Sequence, residues 1–161
     1  MAIIILGIGA VHAMKSPSIV ETAIAANSQG EFAGSFDILI AALQAEENLI
    51  KKLSRNGQYT VFAPTNDAFE ALFEELGLTP EQVLSDKELL SSVLGYHVTR
   101  GNRDSTSLTK SKKIRTLSKN FINIDGIVLT DERNRNSNII VADIKAGNGV
   151  IHVIDKVILP R

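Results

Sequence analysis

The chain has 161 residues, 44% apolar and 22% charged, which is the size and make-up of one compact domain. It carries no cysteine, so disulfides and thiolate chemistry are excluded, and with only 5% aromatics and no tryptophan it offers few stacking platforms for bases. The net charge of −1 hides an asymmetry: residues 20–95 hold twelve acidic and four basic side chains, whereas residues 100–119 hold seven basic ones against Asp104 alone.

In chain order, the apolar run from Ala2 to Val11 is too short to span a bilayer as a helix. It resembles the apolar core of a signal peptide, with a small-residue cleavage site at Val11, His12 and Ala13 but no basic segment before it. A truncated or atypical export signal and an incidental leader both fit. Residues 1–16 are therefore set apart from a domain expected over residues 17–161.

Ser18 followed by Glu21 predicts a capping box opening a helix that ends near Ala26 and Asn27. Phe36, Leu39, Ile40, Leu43, Leu49, Ile50 and Leu53 recur at three and four residue spacings, predicting one long or two consecutive amphipathic helices. Asn56 and Gly57 break the chain, and Tyr59 to Phe62 reads as a buried strand. Pro64 ends it for want of an N–H, Thr65 or Asn66 caps a helix carrying Ala68, Phe69, Leu72, Phe73 and Leu76, and Gly77 stops that helix. Thr79 with Gln82 gives a second capping box, with Pro80 at the first helical position, and Ser85 with Glu88 a third.

From Leu94 onward the chain turns to short runs rich in Val, Ile and Thr: LGYHVT, KKIRTL, NFINI, IVLT, NIIVADI and GVIHVIDKVIL. Asp125 and Gly126 between two such runs signal a hairpin, and Asn134 to Asn138 and Ala146 to Gly149 read as turns. Helices early and strands late give an α+β class without internal repeats.

The strand-to-helix junction at APTND has neither the glycines and lysine of a phosphate loop nor the Gly-x-Ser-x-Gly of a nucleophile elbow, so it reads as architecture. No close histidine pair supports a metal site, and no segment presents a nucleophile for a Ser-His-Asp triad. His152, between Ile151 and Val153, reads as a core histidine. In LGYHVT, strand alternation puts Tyr96 with Leu94 and Val98 on one face and His97 on the other, which is a packing role. The basic stretch lacks interleaved aromatics, which argues against nucleic acid and for a solvated loop face. Its Lys110, Lys112, Lys113 and Arg115 are the candidate polyanion contacts.

Three stretches, YTVFAPTNDAF, LGYHVTRG and GNGVIHVIDKVILP, resemble in order and spacing the two signatures and the Tyr-His motif of the fasciclin domain family, and the resemblance spans residues 17–160. It implies a β-sandwich-like wedge with α-helices packed along one side, and an adhesion or interaction module in place of an enzyme. In animal members, partner binding is tied to the Tyr-His region and to an Asp-Ile pair before the second signature. These correspond to Tyr96 and His97, flanked by Leu94 and Val98, and to Asp143 and Ile144; the neighbours Val141, Ala142 and Lys145 depart from the animal patterns.

The expected function is thus a non-enzymatic module that needs no cofactor or metal and has no transmembrane span. It is secreted, periplasmic or at the cell surface, and binds a protein, a matrix component or an anionic glycan. The alternative is an accessory docking subunit of a membrane-associated complex, at its cytoplasmic face. A third reading is carriage of a small ligand in a cleft beside the helices.

Overall fold

A computed structural model describes residues 17–54 and 57–161, so the expectation for the leader lies outside the described residues. Helices α1 (Ile19–Ser28), α2 (Asp37–Ala45) and α3 (Glu47–Leu53) lead into strand β1 (Tyr59–Pro64). After it come α4 (Asn66–Leu76), α5 (Pro80–Ser85) and α6 (Lys87–Tyr96), then β2 (Val98–Arg100) and a short helix α7 (Ser105–Lys110). Strands β3 (Lys113–Arg115), β4 (Phe121–Asp125), β5 (Val128–Thr130), β6 (Asn136–Ala146) and β7 (Gly149–Ile154) complete the described chain, giving the expected α+β class.

Local chemistry sets most helix starts. Both halves of the Ser18–Glu21 box form, as do both halves of the Thr79–Gln82 box with Pro80 behind it. Thr65 is the cap of α4, its hydroxyl accepting from Ala68 N, and Asn66 is released for another task. The third box moves by one residue: Asp86 caps α6 by accepting from Leu89 N, while Ser85 belongs to α5 and donates to Gln82 O. A carboxylate is the stronger acceptor at the positive end of a helix, so Asp86 displaces Ser85. The Phe36 to Leu53 stripe is two helices, broken where Glu46 leaves helical geometry.

The described strands form one seven-stranded sheet in the order β2-β1-β7-β6-β5-β4-β3. β1 runs parallel to β7, and the other neighbouring strands pair antiparallel. Its two edges approach one another, because Leu117 N–H donates to Val98 O at 2.8 Å and the Thr99 hydroxyl to Arg115 O at 2.7 Å. The result is a nearly closed wedge with helices alongside.

Two apolar cores follow from the alternation of strand side chains. Val61, Ala63, Ile151 and Val153 face the helices, joining Phe36, Leu53, Phe69 and Leu94. Phe62 and Ile154 point the other way, into the wedge, with Ile122, Ile124 and Leu129. β1 and β7 are therefore covered on both faces, which is why their sequences read as unbroken apolar runs. β4 is covered on one face and alternates accordingly.

Three sequence expectations are corrected here. LGYHVT is not a strand throughout: Tyr96 is the last residue of α6, His97 follows as its cap, and the strand begins at Val98. The turn read over Asn134 to Asn138 is shorter, since Asn136 already pairs with Thr130. The basic stretch is not one loop, because it contains α7, capped by Asp104 accepting from Ser107 N.

Candidate functional site

The strand-to-helix junction at residues 63–67 is a clamp. Asn66 Oδ1 accepts from Ile38 N, its Nδ2 donates to Gly34 O, and its backbone N–H donates to Ser35 O. These bonds tie α2 and its approach to the end of β1, which accounts for the polar atoms of Asn66 structurally.

Tyr96 and His97 are likewise held inside, with exposures of 0% and 2%. The Tyr96 ring joins the wedge core with Phe62 and Ile122, and its hydroxyl donates to Phe121 O. Burial, then the charges of Glu132 and Asp131, push its pKa up, so it stays a neutral donor. His97 Nδ1 donates to Val93 O at 2.7 Å, and its Nε2 accepts from Ile158 N at 3.1 Å. Burial lowers the His97 pKa to about 4, which keeps the ring neutral and able to accept.

Asp143 lies inside β6. The register against β7 slips between Ile139 and Val141 and again between Val141 and Ile144, so β6 carries two bulges. Asp143 sits in the second with a left-handed φ of 63°. Its carboxylate accepts from Ser105 N at 2.8 Å and from the Ser105 hydroxyl at 2.5 Å, which with the hydroxyl bond foremost lowers its pKa. Its own N–H donates to His152 Nδ1, and His152 Nε2 donates to Arg103 O at 2.8 Å. His152 is a core histidine, stacked on Phe62, and burial lowers its pKa. Ser105, Asp143 and His152 do meet, but as a latch: the Asp143 carboxylate and His152 Nε2 hold Ser105 and Arg103, at the start of α7, onto β6 and β7, and Ser105 donates to a carboxylate and not to the imidazole. Ile144, half-buried, packs against the helix-side core.

Of the basic residues, Lys110 ends α7, and Lys112 precedes β3. Lys113 and Arg115 share the exposed face of β3, with Lys113 Nζ 4.5 Å from the centre of the Phe121 ring. Arg115 separates from the lysines by turning toward the seam between β2 and β3, where Arg100, Arg103, Lys119 and Lys52 also stand. Sequence reading missed that convergence, since Lys52 lies on α3.

A second feature it missed is Asp131, within the polar tract DERNRNSN. Its buried carboxylate accepts from Arg133 N, Arg135 N and Leu159 N and pairs with the Arg135 guanidinium. Arg135 in turn reaches Glu75 and Val157 O. Aspartate at the head of a turn was the available signal, but its partner at residue 159 was not legible.

The described residues form a nearly closed, helix-backed wedge with a buried Tyr-His pair at the helix-to-strand junction, and none of their helices is long and apolar enough to cross a bilayer. The chain belongs to the fasciclin domain family, whose model matches residues 34–160. It is 41% identical over 133 residues to Protein sll1483 of Synechocystis, covering 78% of this chain and 68% of that protein. It is 36% identical over 115 residues to human periostin, covering 70% of this chain and only 13% of periostin. The fold resembles a FAS1 domain pair from the insect cell adhesion molecule fasciclin I, with a TM-score of 0.60 at 19% identity, over 75% of this chain and 43% of that one.

Proposed function

We propose that the chain is a non-enzymatic interaction module that acts outside the cytoplasm, secreted, periplasmic or at the cell surface, and binds a protein or matrix component. Membership of the fasciclin family supports the class of function, and the likeness to an insect cell adhesion molecule supports adhesion as its setting.

The observation that carries the surface is apolar exposure around β6. Ile140, at the first bulge, is 50% exposed, and Ile127, whose carbonyl accepts from Ile139 N, is 58% exposed. Large aliphatic side chains left to water on adjoining segments favour burial by a partner. Asp143 and Ile144 lie further along β6, where Asp143 fixes the backbone of this surface and Ile144 anchors it to the core. Tyr96 and His97 act from beneath, as positioning residues.

The test is capture of envelope or matrix components of the source organism by tagged protein, with an Ile127→Ser, Ile140→Ser variant alongside. Loss of capture with unchanged melting supports the surface. Unchanged capture removes it.

A further inference from the structure

β2 and β3 are the sheet's two edges, and they meet through the Leu117 N to Val98 O and Thr99 Oγ1 to Arg115 O bonds. Beside those bonds the seam opens into a cleft of about 410 Å³ lined by Lys52, Thr99, Arg100, Arg103, Arg115 and Lys119 among others, none of them acidic. Five cations around one concave surface repel one another. The ion pairs among the described residues are those of Arg135, so none of the five is neutralised by a carboxylate there. Acidic residues are plentiful elsewhere, twelve of them within residues 20–95, so their exclusion from this cleft is specific to it.

The cleft is also held in shape. Arg103 N donates to the buried Thr60 hydroxyl at 2.8 Å, Arg103 O accepts from buried His152, and Arg103 Nε donates to Arg100 O at 3.2 Å. The Asp143 to Ser105 bonds fix the same loop two residues on. Across the cleft, Lys119 has a left-handed φ of 71° in a tight turn closed by its N–H to Thr116 O. Glycine or asparagine would take that backbone with less strain, so the turn itself gives no reason for a lysine.

We propose that this seam cleft binds a tetrahedral oxyanion, sulfate or phosphate, either free or as a monoester. Guanidinium forks match such oxygens, while the lining offers no aromatic ring for a base. The proposal rests on the reading of the chain as a binding module and gives that module a ligand chemistry. It also relocates the anion site: of the polyanion contacts expected from sequence, Arg115 belongs to it, whereas Lys110, Lys112 and Lys113 do not line it.

The test is a titration of the amide spectrum of the full chain at low ionic strength with sodium phosphate, sodium sulfate and a heparin tetrasaccharide, against sodium chloride of matched ionic strength. Saturable shifts confined to residues 99–103 and 115–119 and to the neighbourhood of Lys52 are expected. An Arg103→Gln, Arg115→Gln variant should weaken binding at least tenfold. Lys119→Gly, which suits the backbone and should fold without loss of melting temperature, should weaken it several-fold. A Lys110→Gln, Lys112→Gln, Lys113→Gln variant should stay within about twofold of the parent. Saturation by the inorganic ions supports a free-ion source, and saturation by the tetrasaccharide alone supports an ester on a glycan chain. No saturation with any probe, equal shifts with chloride, or equal weakening by the triple lysine variant would each overturn the site. Failure here with envelope capture intact removes the cleft and leaves the interaction module standing.

Discussion

His97 and Ile158 are 61 residues apart, and one hydrogen bond between the imidazole and a backbone N–H joins the end of α6 to the C-terminal segment. The opposite ring nitrogen holds Val93 O, so a single neutral side chain bridges helix and tail in the core. His97→Ala strands both backbone groups. Leaving buried polar groups unpaired costs on the order of 1 to 3 kcal/mol, so a clear drop in melting temperature is expected by calorimetry. Unchanged melting would contradict the bridging role.

The same geometry sets a pH dependence. Protonating His97 would place a hydrogen on the nitrogen that accepts Ile158 N–H, and burial lowers its pKa from 6.5 to about 4. The folded state therefore resists a proton that the unfolded state takes up below pH 6.5. Stability from this group is complete above that pH and is lost as the pH falls toward 4, by roughly 3 kcal/mol in all. His152 is shifted in the same direction and adds to the trend. Denaturant midpoints measured from pH 7 to 4 should fall, and the fall should be smaller in His97→Ala.

Gly149 opens β7 with φ 155°, and a Cβ there would run into the Tyr59 carbonyl and the Ile19 side chain. Backbone strain and collision act together, so Gly149→Ala is expected to destabilise by well over ~1 kcal/mol. Gly126→Ala, at a turn with open space around it, is the comparison, and it should cost less in the same unfolding assay.

Asp131→Ala would leave the Arg135 guanidinium without its buried partner and three backbone N–H groups without an acceptor. Removing one member of a buried pair costs about 3–5 kcal/mol. Asp131→Asn keeps an acceptor and should cost less. Equal melting of the two variants would assign the role to charge alone.

How much of this was legible depended on distance along the chain. Ser18 with Glu21, Thr79 with Gln82, and Asp125 with Gly126 act within three residues, and each formed as its sequence implied. The runs of β1 and β7 were legible because burial on both faces leaves no polar positions. Tyr96 was misplaced because Gly95 disfavours a helix interior and the Val-Thr pair after His97 looks strand-like, whereas the Val93 carbonyl and the tail at Ile158 hold the pair at a helix end. The seam cleft brings Lys52 to residues 99–119, the Asp143 latch needs Ser105 across 38 residues, and the Asp131 network needs Leu159 across 28, and no local pattern encodes these partners.

The central claim is that the motif residues build the surface from within and that a partner meets β6 from outside. The most direct measurement is binding of envelope or matrix components to immobilised protein, comparing Tyr96→Phe with Ile127→Ser, Ile140→Ser. Tyr96→Phe loses the Phe121 bond, at a cost near ~1 kcal/mol, and is expected to melt lower while keeping its partner; the double serine variant is expected to melt normally and release it. A Tyr96→Phe protein that stays stable but no longer binds, beside a double variant that binds fully, would contradict the account.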